Sequence, residues 1–395
     1  MKVALAYSGG LDTTVSIPWL REKYNAEVIT VTVDVGQPDD FKEVEQRSKS
    51  AGAIRHYHID AKREFVEDFV KPCIKANALY EGEYPLISAL SRPLIAMKVA
   101  EIAIKEGCDA VAHGCTGKGN DQVRFDVTFA AVAPHLKIVA PVREWNMTRD
   151  QEIEYARQRG LMLDYKKSRF SIDENLWGRS IEAAELEDPW TEVPAEALKF
   201  IREPRMAPDK VERLEIEFEG GVPKALNGEE MELGQLIHEL NLIGGRNGFG
   251  LIDHIEDRVV GFKSREVYEA PAALTLIRSH MDLEKMTLNG KVLSFKRLVD
   301  TEWANLVYAG FWLDPLMDAL VAFTEETQRD VTGKVKVELY KGSLRITGRL
   351  AERPLYSREL ATYTKESVFD QLAGASFSRI WGLETVVSSS RRRRK

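Results

Sequence analysis

A short string of residues near the start of the chain is the best candidate for chemistry. It reads Ser8-Gly9-Gly10-Leu11-Asp12-Thr13-Thr14 and lies between the apolar run Val3 to Ala6 and a helical pattern. The two glycines let the backbone approach an anion closely, and the start of the following helix directs free N–H groups toward it. The serine and threonine hydroxyls can donate further hydrogen bonds. The string therefore predicts a phosphate-binding loop.

This loop differs from the two commonest nucleotide-binding motifs. It has neither the G-x-x-x-x-G-K-[ST] pattern nor the G-x-G-x-x-G spacing. A serine-glycine turn that caps a helix is a purely structural alternative for Ser8 to Gly10 alone. The longer string, which adds Asp12 and Thr13 and lies between a strand and a helix, favours phosphate binding.

A second string, from His113 to Phe125, combines glycines with charged and amide side chains. It reads HGCTGKGNDQVRF and follows the short apolar run 110–112. The amide, carboxylate and guanidinium of Asn120, Asp121 and Arg124 suit a site that holds a ligand charged at both ends. A glycine-rich surface loop is the structural alternative.

Five short apolar runs in the first 160 residues predict the strands that must position these strings. They cover residues 3–6, 28–33, 54–59, 110–112 and 138–140. Because helical patterns lie between them, we expect an α/β fold: a doubly wound parallel sheet with helices on both faces. Such sheets bind ligands beyond the carboxyl ends of their strands, where the strand order reverses. A reversal between the first and fourth strands would bring the two strings together.

The pattern changes at about residue 166. Alternating runs at 214–226 and 335–346 predict β-hairpins, and residues 233–242 predict a helix between them. The glycine-rich segment 244–250 is open to interpretation as a flexible connection. An α+β domain is therefore expected after the parallel sheet.

The last part of the chain predicts a separate arm. From about residue 366 an amphipathic helical pattern runs toward the basic residues 391–395. A helix of this kind must bury its apolar stripe on its own body or on a neighbouring subunit. The pattern changes predict three domains, with the boundaries 1–165, 166–365 and 366–395.

Composition argues against several classes of protein. Lys and Arg number 55 against 62 Asp and Glu, and the last five residues are all basic, so the body is acidic and unsuited to nonspecific nucleic-acid binding. Cys73, Cys108 and Cys115 form no C-x-x-C pair, which disfavours a disulfide framework or a cysteine zinc site. The apolar run Val3 to Ala6 is too short for the core of a signal sequence, and no apolar run approaches about 18 residues, so neither export nor membrane insertion is expected. We therefore expect a cytoplasmic protein without membrane or nucleic-acid partners.

The first string matches the pyrophosphate loop of the ATP pyrophosphatases, which cleave ATP between the α- and β-phosphates. The second string resembles the signature of the argininosuccinate synthetases within that group. Further matches lie along nearly the whole chain: 80–84, 171–176, 187–190, 243–246, 263–265 and 308–312. Together these matches are highly specific.

The resemblance implies a reaction in arginine biosynthesis, a step of the urea cycle. ATP, L-citrulline and L-aspartate would give argininosuccinate, AMP and diphosphate through a citrulline adenylate. It also implies Mg²⁺ with ATP, no prosthetic group and a homotetramer. Residues 1–165 would then be the nucleotide-binding domain, 166–365 the synthetase domain, and 366–395 an oligomerisation arm.

The resemblance assigns site residues by position. The residues expected to bind ATP are Ala6, Tyr7, Ser8, Gly9, Gly10, Leu11, Asp12, Thr13, Thr14, Val33 and Gly114. Those expected to bind aspartate are Thr116, Asn120 and Asp121. Those expected to bind citrulline are Tyr84, Ser88, Asn120, Arg124, Ser171, Ser180, Glu256 and Tyr268. The carboxylate of Asp121 suits the aspartate ammonium, while Arg124 and Glu256 suit the carboxylate and ammonium of citrulline.

Two positions depart from the family pattern. The citrulline-contacting serine of relatives falls on Ala89, and we expect the neighbouring Ser88 to take over its contact. Val33 stands where relatives often have alanine, close to the expected adenine position. No residue stands out as a general base for the aspartate amine.

Other readings of the sequence remain. His56 and His58 are two apart on a predicted strand, but without a third ligand nearby a structural role is favoured over a metal site.

A tRNA-modifying enzyme with the same loop is a second hypothesis for the function of the protein, disfavoured by the acidic body. A noncatalytic nucleotide sensor or RNA-binding module is a third, and it leaves the charged residues of the second string without a role.

Overall fold

The first sheet of the protein is parallel and has five strands. A computed structural model describes residues 1–145, 147–163 and 169–392. The strands are β1 (Lys2–Ala6), β2 (Glu27–Asp34), β3 (Arg55–Asp60), β4 (Ala110–Ala112) and β5 (Lys137–Val139). Their order is β3-β2-β1-β4-β5, and every neighbouring pair is parallel. All five predicted strands are confirmed, with ends that differ by no more than a residue or two.

Helices cover both faces of this sheet, as the doubly wound prediction requires. They are α1 (Leu11–Tyr24), α2 (Phe41–Ser50), α3 (Lys62–Glu64), α4 (Lys71–Lys75), α5 (Ile87–Lys105), α6 (Asp121–Val132), α7 (Pro141–Trp145) and α8 (Arg149–Gln158). A π-helical turn, Phe65–Val70, joins α3 to α4. Because β1, β2 and β4 are buried on both sides, they are almost continuously apolar.

The strand order reverses at β1. Strands β2 and β3 lie on one side of β1, and β4 and β5 lie on the other. The loops after β1 and β4 therefore leave the same edge of the sheet next to each other. These are the two strings singled out in the sequence.

The second half of the chain forms two antiparallel sheets. One has the order β11-β12-β7-β6 and the other β10-β9-β8-β13-β14. Their strands are β6 (Ser171–Asn175), β7 (Gly178–Glu182), β8 (Glu212–Glu219), β9 (Val222–Leu226), β10 (Glu229–Glu230), β11 (Leu251–Asp257), β12 (Lys263–Glu269), β13 (Gly333–Tyr340) and β14 (Ser343–Ala351). The two predicted hairpins are confirmed as β8–β9 and β13–β14.

Helices connect these sheets. They are α9 (Leu233–Arg246), α10 (Pro271–Thr287), α11 (Gly290–Tyr308) and α12 (Pro315–Gln328), with short 3-10 turns at Ala184–Glu187, Ala195–Ala197 and Pro204–Met206. Beyond them lie α13 (Arg358–Ala361), α14 (Gln371–Trp381) and α15 (Leu383–Arg392). None of the described helices is both long and apolar enough to cross a membrane.

The interpretation of segment 244–250 as a flexible connection is wrong. Gly244 and Gly245 lie within α9, and each glycine is a point of close backbone contact. A Cβ atom on Gly245 would lie 2.0 Å from the carbonyl oxygen of Phe200, and one on Gly244 would lie 2.6 Å from Cβ of Pro271. The glycines therefore serve tight packing, which the composition of the segment does not distinguish from flexibility.

Strand β6 attaches the second half of the chain to the first sheet. Leu176, directly after β6, donates its N–H to the carbonyl oxygen of Val35 at 3.0 Å. Trp177 Nε1 donates to the carbonyl oxygen of Pro85 at 2.8 Å, and Asn175 Nδ2 donates to that of Ile87 at 2.8 Å. These contacts place β6 beside the carboxyl edge of the parallel sheet.

Residues 1–353 form one compact unit, and the chain from Pro354 onward forms another. The predicted boundary at 165/166 lies outside the described residues, and so do residues 393–395 of the basic run. In the second unit, α14 leaves its apolar side chains exposed, for example Leu372, Ile380 and Trp381. The predicted arm helix is present, and Phe369 precedes it.

Candidate nucleotide and amino-acid site

A cleft of about 840 Å³ opens at the carboxyl edge of the parallel sheet. Its walls come from the loops after β1, β2 and β4 and from β6 across the opening. The predicted ATP residues that line it are Ala6, Tyr7, Ser8, Gly9, Gly10, Leu11, Asp12, Thr13, Val33 and Gly114. Thr14 is buried beneath the loop and bonds to the hydroxyl of Tyr7 at 3.0 Å.

The first loop presents uncapped backbone donors to this cleft. Gly10 precedes α1 and supplies no side-chain cap, so the first N–H groups of the helix lack an intrahelical partner. Gly9 has φ +77, and a Cβ atom there would lie 3.1 Å from Cγ2 of Val44. The hydroxyls of Ser8 and Thr13 lie 3.2 Å apart. Uncapped N–H groups and hydroxyls at a helix start form a suitable anion site.

The second loop packs directly on the first. A Cβ atom on Gly114 would lie 2.8 Å from Cγ2 of Thr13. His113 is fully buried, and its Nε2 lies 2.9 Å from Oδ1 of Asp126. Its Nδ1 accepts the backbone N–H of Cys115 at 3.2 Å, which sets the direction in which the loop leaves β4. The two strings therefore meet at the strand-order reversal, as predicted.

Asp12 has an acidic neighbour on α8. Glu152 is 5% exposed, and burial, followed by the charge of Asp12 and a hydrogen bond with it, raises the pKa of Glu152 to about 8. The raised pKa favours the protonated form of Glu152, which can donate to Asp12. This keeps the negative charge at the start of α1 close to one unit rather than two.

A charged cluster extends from the nucleotide cleft along α5 and α6. Arg92 Nε donates to Asp121 Oδ2 at 2.7 Å, and Arg124 Nη1 donates to Oδ1 of the same carboxylate at 2.7 Å. Burial acts to raise the pKa of Asp121, but the two guanidinium groups outweigh it and hold the pKa at about 2. Arg92 Nη2 also donates to Asp173 Oδ2 at 2.5 Å, which links α5 to β6.

Arg124 keeps one donor free. The residue is 3% exposed, and its Nε donates to the carbonyl oxygen of Tyr308 at 3.0 Å. Its Nη2 is buried and has no hydrogen-bond partner among the described residues. Because buried polar groups are nearly always hydrogen-bonded, this donor indicates a place for a ligand acceptor such as a carboxylate.

Glu256 on β11 is a buried carboxylate held by two tyrosines. The hydroxyl of Tyr308 donates to Oε1 at 2.5 Å, and that of Tyr268 donates to Oε2 at 2.7 Å. The ring of Tyr84 stacks on Tyr268 with centroids 4.1 Å apart. Three predicted citrulline residues, Tyr84, Glu256 and Tyr268, are thus in one group.

Ser88 lies at the cleft, and its role stays a prediction. Its side chain lines the cleft, and its hydroxyl lies 3.0 Å from the hydroxyl of Tyr84. Ala89 is fully buried in the core and does not face the cleft. Ser88 is therefore the hydroxyl available on this turn of α5.

The remaining predicted residues lie on β6, on β7 and along the second loop up to the start of α6. Ser171 at the start of β6 lines the cleft, and Ser180 on β7 pairs in register with Tyr268. Asn120 is at the N-cap position of α6 but does not cap it. Its Nδ2 donates instead to the hydroxyl of Tyr308 at 2.8 Å. Thr116 is exposed on the second loop.

Three contributors were missed by the sequence analysis: Arg92, Asp173 and Tyr308. Arg92 is one helical turn after Ser88, and that spacing is a signal that would have placed it on the same face of α5. Asp173 and Tyr308 lie in two of the matched strings, 171–176 and 308–312, but neither was assigned a role. Tyr308 reaches Arg124 from 184 positions away in the chain, so only the folded structure brings them together.

The two histidines of β3 make contacts with neighbouring side chains. His56 Nδ1 lies 2.9 Å from the hydroxyl of Thr30, and the ring of His58 stacks on Phe41 with centroids 4.2 Å apart. Within the described ranges, no group of three or more His, Cys, Asp or Glu side chains is placed to hold a metal ion.

The parallel sheet and the cleft at its reversal define a nucleotide-binding protein of the HUP class. Residues 2–162 match the family model for the argininosuccinate synthase N-terminal HUP domain, and residues 170–388 match that for the C-terminal domain of the same family. The chain belongs to the argininosuccinate synthase family.

Curated relatives match over almost the full length. The argininosuccinate synthase of Pyrobaculum aerophilum is 54% identical over 393 residues, which cover 99% of each chain. That of Pyrococcus furiosus is 53% identical over 98% of this chain and 94% of its own. That of Saccharolobus solfataricus is 52% identical over 98% of each chain. The match therefore includes both sheets of the second half as well as the parallel sheet.

Proposed function

We propose that this protein joins L-citrulline to L-aspartate with ATP, giving argininosuccinate, AMP and diphosphate. One observation carries the proposal: the cleft that contains the uncapped phosphate loop is linked through Arg92 and Asp121 to a buried guanidinium with a free donor, and from there through Tyr308 to a buried carboxylate. Arg124 and Glu256 are complementary to the two charged groups of an α-amino acid. Family membership makes citrulline and aspartate the amino acids to test first.

The reaction would proceed in two displacements. The ureido oxygen of citrulline attacks the α-phosphorus of ATP, the bond between the α- and β-phosphates breaks, and diphosphate leaves. The amine of aspartate then attacks the ureido carbon of the adenylate, loses a proton, and displaces AMP. Both steps require reactants that are held in line and kept from water.

The first loop would bind the phosphates of ATP through the uncapped N–H groups of α1 and the hydroxyls of Ser8 and Thr13. Val33, which is 4% exposed in the cleft wall, would contact the adenine. Gly114 would let the second loop approach the phosphates because it has no side chain. Thr14 would support the loop from below through Tyr7.

Mg²⁺ would accompany ATP. No described group of ligating side chains can hold the ion by itself, so the site fits an ion that arrives on phosphate oxygens and gains the carboxylate of Asp12. The ion would share the charge of the leaving diphosphate. No prosthetic group is part of the proposal.

The two amino acids would share the cluster around α6. Citrulline would place its carboxylate at Arg124 and its ammonium at Glu256, with Tyr84, Ser88 and Tyr268 beside them. Asn120, Ser171 and Ser180 complete the proposed citrulline set. Aspartate would be bound by Thr116, Asn120 and Asp121. Each carboxylate oxygen of Asp121 accepts one arginine and keeps a second lone pair, so it can still accept the aspartate ammonium.

The test is the citrulline-dependent exchange of labelled diphosphate into ATP. Exchange that requires citrulline but not aspartate is expected, because the first displacement needs only ATP and citrulline. The products of the complete reaction should be AMP and diphosphate. Equal exchange without citrulline, or formation of ADP and phosphate, would contradict the proposal.

We also propose a cytoplasmic homotetramer assembled through the C-terminal arm. The exposed apolar face of α14 includes Leu372, Phe377, Ile380 and Trp381, whose side chains need a partner surface. Deleting residues 366–395 should lower the number of subunits per particle, calculated from the mass measured by light scattering. An unchanged number of subunits would refute the role of the arm.

A further inference from the structure

Tyr308, at the C-terminal end of α11, contacts groups proposed to bind both amino acids. The residue is 2% exposed. Its hydroxyl donates to Glu256 Oε1 at 2.5 Å and accepts from Asn120 Nδ2 at 2.8 Å. Its carbonyl oxygen accepts from Arg124 Nε at 3.0 Å. Tyr308 thus links three members of the proposed substrate set without belonging to that set.

The direction of these hydrogen bonds is fixed by a neighbour. Asn120 Oδ1 accepts the backbone N–H of Val259 at 2.9 Å, so Nδ2 is the atom that faces Tyr308. Tyr308 must therefore accept from Asn120, and its single hydrogen goes to Glu256. The result is a directed chain from Val259 through Asn120 and Tyr308 to Glu256.

The ring of Tyr308 is also restrained. Tyr80 stacks on it with centroids 3.5 Å apart and an interplanar angle of 4°. The guanidinium of Arg124 lies 5.0 Å from the ring centroid. Because the ring is held, the hydroxyl stays in reach of both its partners.

We propose that Tyr308 is a positioning residue that couples the aspartate and citrulline subsites. It orients Asn120 on the second loop and Glu256 on β11 through one hydroxyl group, so that the two amino acids are held in a common geometry. The inference rests on the proposed function, because that function assigns the substrates to Asn120 and Glu256.

The ionisation of Glu256 supports this role. Burial acts to raise the pKa of Glu256, but His254, whose Nε2 lies 3.4 Å from Oε2, and the hydrogen bonds from Tyr308 and Tyr268 outweigh it and hold the pKa below its ordinary range. Glu266, whose pKa is raised to about 7 mainly by burial and also by the charges of Glu182 and Glu256, is the acidic group that interacts with Glu256. Loss of the Tyr308 donor should therefore raise the pKa of Glu256.

Tyr308→Phe tests the inference, because phenylalanine keeps the ring but removes the hydroxyl. The Michaelis constant for citrulline should rise about tenfold, as expected for a lost hydrogen bond to a charged group, and that for aspartate about two- to tenfold, as expected for a lost neutral hydrogen bond. The acidic limb of the pH profile of kcat/KM for citrulline should move to higher pH. A purely structural role would not move that limb.

Two matched variants separate coupling from general damage. Tyr268→Phe removes the other tyrosine donor to Glu256 and should raise KM for citrulline while leaving KM for aspartate unchanged. Tyr80→Phe removes a hydroxyl that donates to the carbonyl oxygen of Asp257 at 2.8 Å, and it should leave both constants unchanged.

The outcomes are distinguishable. If the unsubstituted protein shows no citrulline-dependent exchange, the proposed function and this inference both fail. If that protein is active and Tyr308→Phe leaves KM for aspartate and the acidic limb unchanged, only the coupling is overturned. If Tyr308→Phe does not fold, Asn120→Ala serves instead. It removes the hydrogen bond that the Tyr308 hydroxyl accepts from Asn120 and leaves the side chain of Glu256 unchanged. An unmoved acidic limb in Asn120→Ala would overturn the coupling.

Discussion

Asp121→Asn is the substitution for which the structure gives the clearest expected magnitude. Asp121 lies between Arg92 and Arg124, and its pKa of about 2 is well below the ordinary value of 3.8. At about 1.4 kcal/mol for each pKa unit, the difference corresponds to about 2 kcal/mol of folding free energy at pH 7. Both ion pairs of Asp121 are lost in the variant, but Arg92 keeps Asp173 as a charged partner, so only Arg124 is left without one among the described residues.

The pH dependence follows from the sign of the shift. Because the folded-state pKa is lower than the unfolded value, the stabilisation is complete above about pH 4 and is lost as the pH falls toward about 2. At pH 3 about half of the difference between the two proteins should remain. Stability should therefore converge in acid and differ most at neutral pH.

Urea unfolding followed by intrinsic fluorescence measures this difference. The two proteins are compared at pH 7 and pH 3 and at one protein concentration, because association would otherwise contribute. Glu192→Gln, at an exposed position, is the control and should change stability by less than about 0.5 kcal/mol. A difference below about 0.5 kcal/mol at pH 7, or an equal one at both pH values, would refute the reasoning.

Three further changes have expected outcomes. Ser88→Ala should raise KM for citrulline about two- to tenfold, and an unchanged constant would contradict the role of this hydroxyl. Gly114→Ala should raise KM for ATP because its Cβ atom would lie 2.8 Å from the first loop, whereas Gly290→Ala meets open space and should not. In metal-free buffer, Glu152→Gln should reduce any fall in ATP affinity above about pH 8, where the native carboxyl ionises beside the loop; titration of ATP binding from pH 7 to 9 without Mg²⁺ checks this.

The parallel sheet was predictable because its signals are local. A strand such as Val28 to Val33 consists entirely of β-branched residues, which favour strands, and the loop that follows β1 is marked by its own glycines and hydroxyls. The hairpins at 212–226 and 333–351 were equally visible, since their alternation has a period of two. These features depend on neighbours within ten residues.

The amino-acid cluster was predictable only in part. The resemblance placed Arg124 and Glu256 in it, but no pattern indicated that Tyr308 lies between them or that Asp121 is already shared by two guanidinium groups. The glycines at 244 and 245 were ambiguous for the same reason. Whether a glycine gives flexibility or close packing depends on the element opposite it, here the carbonyl of Phe200.

The attachment of β6 to the parallel sheet has a consequence for how the protein is made. A nascent chain that ends near residue 160 contains the complete phosphate loop, yet its cleft lacks the wall supplied by Ser171 to Asn175. Nucleotide affinity must therefore increase once the segment through Trp177 has been synthesised and docked on Pro85. By linkage, a nucleotide that binds the finished cleft also stabilises the docking of the second half. Nucleotide binding and the docking of the second half therefore stabilise each other.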